Sequence, residues 1–140
     1  MPVEITTDTA RLDRDCLHGW LAAAYWSPGI PREVFDKAID NSLCFAALRD
    51  GELVGFARVV TDRATFAWLC DVFVAENARG AGVGKRLMEA VAAHPDLQGL
   101  RRFMLATRDA HGLYQRYGFR PLDNPEALMG IRRRAEDLYK

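Results

Sequence analysis

The sequence has no surplus of charge: 19 Lys and Arg face 19 Asp and Glu across 140 residues. A domain that grips a nucleic-acid backbone carries a basic excess, because phosphates must be neutralised; the balance here argues against such a partner. The clusters Arg101-Arg102 and Arg132-Arg133-Arg134 read as solvated face. Cysteine is scarce as well. Cys16, Cys44 and Cys70 are odd in number and scattered, with neither the paired CxxC spacing of a zinc site nor a disulfide framework. In apolar or mixed runs a free thiol behaves as a small hydrophobe, and a reducing cytoplasm is the expected compartment. No apolar run is long enough to span a bilayer, and the opening MPVEITTDTA lacks the basic and apolar regions of a secretory signal. Repeats, low-complexity tracts and linkers are missing too. What remains is one globular domain over 1–140, with 49% hydrophobic residues to form its core. Neither a metal site nor a membrane or nucleic-acid partner is expected.

The hydropathy pattern changes period several times. Residues 3–6 alternate like a short strand. Over 13–26, Cys16, Leu17, Trp20, Leu21 and Ala24 share a helical face, with Asp13 as cap. The loop SPGIP follows at 27–31, and Pro31 opens a second helix whose buried stripe is Val34, Phe35, Ala38 and Ile39. From Leu43 the pattern is that of a hairpin, LCFAAL and LVGFARVV around a turn at Asp50-Gly51. A third strand at 66–75 follows a turn around Asp62. Val83, Leu87, Ala90 and Val91 then mark a helix that stops at His94, ahead of Pro95. FMLA at 103–106 reads as a buried parallel strand. Residues 109–117 read as a helix capped by Asp109, and 119–133 as two further strands separated by an Asp-Asn-Pro turn. The result is a mixed α/β sheet and not a doubly wound one.

Between the third strand and its helix lies VAENARGAGVGKRLM, residues 74–88, a loop suited to holding an anion. The triphosphate pattern GxxxxGK(S/T) fails twice: Arg79 stands at its first glycine, and Arg86 where Ser or Thr must bind magnesium. The dinucleotide pattern GxGxxG fails because Gly80, Gly82 and Gly84 are spaced two and two, and no parallel sheet precedes them. What remains is a strand, then Arg-x-x-Gly-x-Gly, opening a helix. The glycines admit a pyrophosphate close to the backbone, the helix N-terminus attracts it, and Arg79 and Lys85 can neutralise outer oxygens.

Arg79-Gly80-Ala81-Gly82-Val83-Gly84 resembles the (Gln/Arg)xxGx(Gly/Ala) motif of the GNAT superfamily of N-acetyltransferases, which binds the pyrophosphate of acetyl-CoA. LATRDAHGLYQRYGF at 105–119 resembles that family's strand-and-helix block ending in LeuTyr-x-x-x-GlyPhe, and the order of elements is similar along nearly all the chain. The resemblance implies an α+β fold with a mixed sheet of about six to seven strands and about four helices. It implies acetyl-CoA as cofactor, with pantetheine on the backbone of Val72, Phe73 and Val74 and one N–H there as oxyanion donor.

Tyr114 aligns with the tyrosine that protonates the leaving thiolate in many relatives, although spacing alone places it in an apolar stripe with Ala110, Leu113 and Tyr117. Thr107 stands where many relatives carry an asparagine for the pantetheine arm, and Ala110 matches a small residue beside the cofactor. Asp71 is the carboxylate placed to act as base, directly or through water; an ion pair with Arg58 is the equal alternative. Tyr25, Trp26, Arg58 and Trp68 are candidates for an acceptor pocket. The implied reaction moves acetyl to the primary amine of a small molecule by direct attack in a ternary complex. A catalytically weak acyl-CoA-binding sensor and acetylation of a protein or peptide amine are the alternatives. Relatives commonly dimerise, so a homodimer stays open.

Overall fold

The computed structural model describes residues 2–139. Its sheet has five strands in the order β1 (Glu4–Thr6), β2 (Leu43–Arg49), β3 (Glu52–Thr61), β4 (Phe66–Val74) and β5 (Arg102–Leu105). Neighbours run antiparallel except β4 and β5, which are parallel. The crossover joining those two is α3 (Val83–Ala93). Strand alternation sends one set of side chains to each face, and each set meets its own helical layer. On one face Phe45, Ala57, Val59 and Leu69 pack with Val83, Leu87, Met88 and Val91 of α3. On the other, Cys44, Ala46, Leu48 and Phe56 pack with Leu17 and Leu21 of α1 (Arg14–Ala23) and with Phe35 and Ile39 of α2 (Arg32–Asp40). No helix among the described residues is long and apolar enough to cross a membrane.

Local chemistry sets the boundaries. Asp13 caps α1 by accepting from the Cys16 N–H at 3.1 Å. The helix ends at Ala23, earlier than its periodicity suggests, because the Ser27 hydroxyl and the Gly29 N–H take the carbonyls of Leu21 and Ala22. Tyr25 and Trp26 therefore stand on the α1–α2 loop. In α2 the buried stripe narrows to Phe35 and Ile39, with Val34 at 39% exposure. The β2–β3 turn takes Asp50 and Gly51 to φ 53° and 81°, the left-handed pair a two-residue hairpin turn requires.

Asp62 anchors the β3–β4 turn, accepting from the N–H groups of Ala64, Thr65 and Phe66 and from the Thr65 hydroxyl. Those bonds, the Thr65 hydroxyl first, hold its carboxyl far below the usual carboxylate range. Because the folded value is depressed, the stability it contributes is present above the unfolded pKa of about 4 and is lost as pH falls below it. Asp62→Ala is expected to lower Tm by a few degrees at pH 7, with the gap to wild type closing in acid. A Tm gap independent of pH would contradict this account.

Three expectations are corrected beyond β4. β5 is half-buried instead of fully buried, because nothing among the described residues pairs with its outer edge. The helix expected at 109–117 shortens to α4 (His111–Gln115), and Asp109 does not cap it: the cap position is Ala110, whose N–H donates to the Thr107 hydroxyl at 3.0 Å. The two strands expected over 119–133 do not form. Pro121 and Pro125 interrupt the segment, a 3-10 turn occupies Pro125–Ala127, and only the short α5 (Ala135–Leu138) follows. The sheet thus has five strands, fewer than the six or seven the resemblance implies, while the mixed α+β architecture holds.

Candidate active site

The site begins where β4 and β5 part. Their parallel pairing runs from Phe66 with Arg102 to Leu69 with Leu105 and stops there, while β4 continues to Val74. On the β3 side the ladder is irregular: Arg58 opposes Cys70 and Phe56 opposes Phe73, so Ala57 faces both Asp71 and Val72. The extra residue is a β-bulge, and Asp71 absorbs it with φ 52°. A bulge twists its strand and re-aims the residues after it. The backbone of Val72, Phe73 and Val74 is left without a strand partner among the described residues on the side facing the gap. The Phe73 ring itself points to packing, stacked on Trp20 at 4.8 Å.

At the end of β4 the chain makes a 3-10 turn, Glu76–Ala78, and enters α3 through Gly80 and Gly82 at φ 83° and 78°. Those angles favour glycine strongly. The first α-type bond at the helix start runs from Arg86 N–H to the Gly82 carbonyl, and no side chain caps the helix. The N–H groups of Gly82, Val83, Gly84 and Lys85 consequently have no backbone acceptor among the described residues. Open donors at a helix N-terminus form a ready anion site. Arg79 lies beside them, its Nε donating to the Val74 carbonyl at 3.3 Å, and both Arg79 and Lys85 are exposed.

A cavity of about 510 Å³ fills the gap between β4 and β5. Tyr114 is among its lining residues. This side chain is only 8% exposed and belongs to the α3-side core. Burial, with the Tyr25 phenol adding to it, raises its pKa above the ordinary value, so the hydroxyl keeps its proton at neutral pH. Thr107, Ala110, Asp71 and Val72 line the same cavity. Cys70 does too, but burial pushes its thiol up to about 12.

The comparisons with known proteins agree with this architecture. The model of the acetyltransferase (GNAT) family matches residues 8–119. The chain belongs to the GNAT family. The peptidyl-lysine N-acetyltransferase YiaC of Escherichia coli K12 is 33% identical over 107 residues, covering 76% of this chain and 68% of that protein. A crystallised GNAT-family protein from Xanthomonas campestris pv. campestris is 52% identical and superposes with a TM-score of 0.95 over 99% of this chain and 98% of its own. N-acetylglutamate synthase from Neisseria gonorrhoeae, solved with coenzyme A and N-acetylglutamate, shares the fold at 19% identity and TM-score 0.67, over 90% of this chain and 30% of that one.

One wall of the cavity is built from side chains. Asp71 is 11% exposed and ion-paired: Arg58 Nε donates to Oδ2 at 2.7 Å. Its second oxygen, Oδ1, accepts from Trp26 Nε1, also at 2.7 Å. Arg58 in turn donates to the Ser42 hydroxyl. The ion pair between Asp71 and Arg58 is therefore present, and Asp71 also holds the indole of Trp26, which lines the cavity. Tyr25 stands edge-on to Trp26 at 5.0 Å, and the Arg108 guanidinium lies 4.0 Å from the Tyr25 ring centre. Trp68 lines the cavity. The structure thus brings Tyr25, Trp26, Trp68, Asp71 and Tyr114 to one cavity; Arg58 acts on it through Asp71. Arg108 had no place in the sequence reading, since its contact with Tyr25 spans most of the chain.

Proposed function

We propose that this chain transfers acetyl from acetyl-CoA to a primary amine by direct attack in a ternary complex. The observation that carries the reading is the open cavity between β4 and β5, with unpaired backbone on one wall and a protonated Tyr114 among its lining residues. Acetyl-CoA supplies an activated thioester. The donors of Gly82 to Lys85 suit its pyrophosphate, with Arg79, Gly80, Ala81 and Lys85 around it, while the backbone of Val72, Phe73 and Val74 takes the pantetheine arm. The Thr107 hydroxyl hydrogen remains available to that arm, and Ala110 leaves it room. A β4 N–H stabilises the carbonyl oxygen as negative charge builds there, an effect worth roughly 3 kcal/mol.

The amine nitrogen forms its bond to the carbonyl carbon and loses a proton to Asp71, directly or through water. The carbon–sulfur bond breaks, and Tyr114 protonates the departing sulfur, leaving the amide and the free thiol. An acetylated Cys70 is not required, and a thiol with pKa near 12 is a poor nucleophile at neutral pH.

A small-molecule amine is the primary acceptor proposed, boxed by Tyr25, Trp26 and Trp68. A peptidyl lysine is the second reading, favoured by the similarity to YiaC and by an open rim on which Tyr25 is 57% and Trp26 40% exposed. The deciding experiment follows free-thiol release from acetyl-CoA against a panel of small amines and lysine peptides, beside a thermal-shift titration with CoA. Failure of CoA to stabilise the protein would overturn the reading.

Asp71→Asn is expected to lower kcat by at least about tenfold while the acetyl-CoA KM stays within a few-fold of wild type. An unchanged kcat, with only Tm reduced, would make Asp71 a structural partner of Arg58 and Trp26.

A further inference from the structure

Three charged side chains line the β4–β5 cavity: Asp71, Arg108 and Asp109. Asp71 is matched by Arg58, which donates to Oδ2 at 2.7 Å. Arg108 has no such match. Its guanidinium forms no ion pair and no hydrogen bond with any described residue. Asp109 follows it in the chain without pairing to it, and both are exposed.

An unpaired arginine on a surface is ordinary, and exposure alone gives it no role. Arg108 differs because it is held. Its Cζ lies 4.0 Å over the Tyr25 ring, a cation–π contact that consumes none of its N–H donors. Tyr25 stands edge-on to Trp26 at 5.0 Å, and Trp26 Nε1 donates to Asp71 Oδ1 at 2.7 Å. Two aromatic rings therefore fix the guanidinium relative to the carboxylate proposed as base. A guanidinium with its N–H fork free takes both oxygens of a carboxylate or phosphate.

The cavity's charges favour the same ligand. A simple amine, with a pKa of about 10, arrives as an ammonium ion. The carboxylate it must meet, Asp71, already holds Arg58, and Arg108 opposes it as a like charge. Only Asp109 offsets that repulsion, and solvent screens a carboxylate so exposed. An amine that brings its own anion gains from Arg108 what a plain amine or polyamine loses there.

We propose that the acceptor is an amine that also carries an anionic oxygen group, a carboxylate or a phosphate, and that Arg108 selects it. The amine stands at Asp71 and the anion at Arg108, with Tyr25, Trp26 and Trp68 against the carbon skeleton between them. This rests on the acetyltransferase reading of the cavity and narrows its acceptor class.

The test follows free-thiol release from acetyl-CoA with matched pairs of amines. Phenylalanine is set against phenethylamine, β-alanine against ethylamine and phosphoethanolamine against ethanolamine, with a lysine peptide alongside. Wild type is expected to favour the acid-bearing member of at least one pair by about 30-fold or more in kcat/KM. Arg108→Gln is expected to bring that ratio to within about threefold of unity, chiefly through the acceptor KM, and Arg108→Lys to restore part of it. If Arg108 only braced Tyr25, the Gln variant would slow both members alike and leave the ratio unchanged, which overturns the proposal. A wild type that prefers the neutral members, acetylates only the lysine peptide, or acetylates none of the acid-bearing amines overturns it too. The pair that responds tells carboxylate from phosphate. A thermal-shift titration with CoA separates the two readings. Where CoA stabilises the protein, these failures fall on the acceptor class alone; where it does not, acetyl transfer and this proposal fall together.

Discussion

Tyr114→Phe lowers kcat by about 10²–10³ and leaves the acetyl-CoA KM within a few-fold of wild type. The expected split follows from the position of the hydroxyl. The ring is core, edge-on to Phe119 at 6.1 Å, and Phe preserves that packing. Only the proton donor is lost, and it matters once negative charge builds on sulfur. Burial raises the phenol's pKa, so its acid form persists through neutral and mildly alkaline conditions. Loss of activity on deprotonation of this group should therefore appear only above about pH 10. Steady-state kinetics from pH 6 to pH 9.5, together with Tm, checks the account. A Phe variant with unchanged kcat would remove Tyr114 from the chemistry and leave it as core.

The second large effect lies away from the cavity. A Cβ added at Gly55 would stand 2.6 Å from Val83 Cγ1, 3.2 Å from Leu87 Cδ1 and 3.3 Å from Ala47 Cβ. Val83 is the first residue of α3, directly after Gly82. Gly55→Ala must lift the start of α3 off β3, at a cost of about 1–3 kcal/mol and a fall in Tm of about 3–10 °C. The same displacement moves the open N–H donors, so CoA affinity should fall with stability. Gly84→Ala is the control for Tm, since its Cβ would meet only Val74 Cγ2 at 3.8 Å. Calorimetry and a CoA titration on both variants test this. If Gly55→Ala keeps wild-type Tm and CoA affinity, Val83 has room to turn aside and the close approach is not required.

These two positions show what the sequence discloses and what it conceals. Tyr114 was legible because its block, LeuTyr-x-x-x-GlyPhe, is contiguous. The loop from Arg79 to Gly84 was legible for the same reason, as were the Asp13 cap and the Asp50-Gly51 turn: each depends on neighbours a few positions apart. Gly55 was not singled out, because the side chains that exclude a Cβ there come from a helix almost thirty positions later. The bond from Trp26 to Asp71 spans 45 positions, and no local pattern marks it. The ion pair between Arg58 and Asp71 was foreseen only as one of two options, since hairpin register brings those strands together without saying what the carboxylate does. The tail misled for a different reason. Two strands were expected over 119–133, but a strand needs an edge to join, and the tail pairs with none among the described residues.

The division of labour across the β4–β5 gap bears on how such a protein changes over generations. In the proposed reading the donor wall is mostly main chain, so nearly any apolar residue at Val72 or Val74 presents the same amides, whereas Gly80 and Gly82 hold positive φ and resist replacement. In the same reading the acceptor wall takes side chains from two loops, Tyr25 and Trp26 on one and Arg108 on the other, beside Trp68 and Asp71 of β4. Substitution there remodels the pocket while the sheet stays intact. On that reading acceptor choice would drift faster than the acetyl donor, with Asp71 as the point where drift meets resistance, because its backbone forms the bulge and its side chain steadies both Trp26 and Arg58.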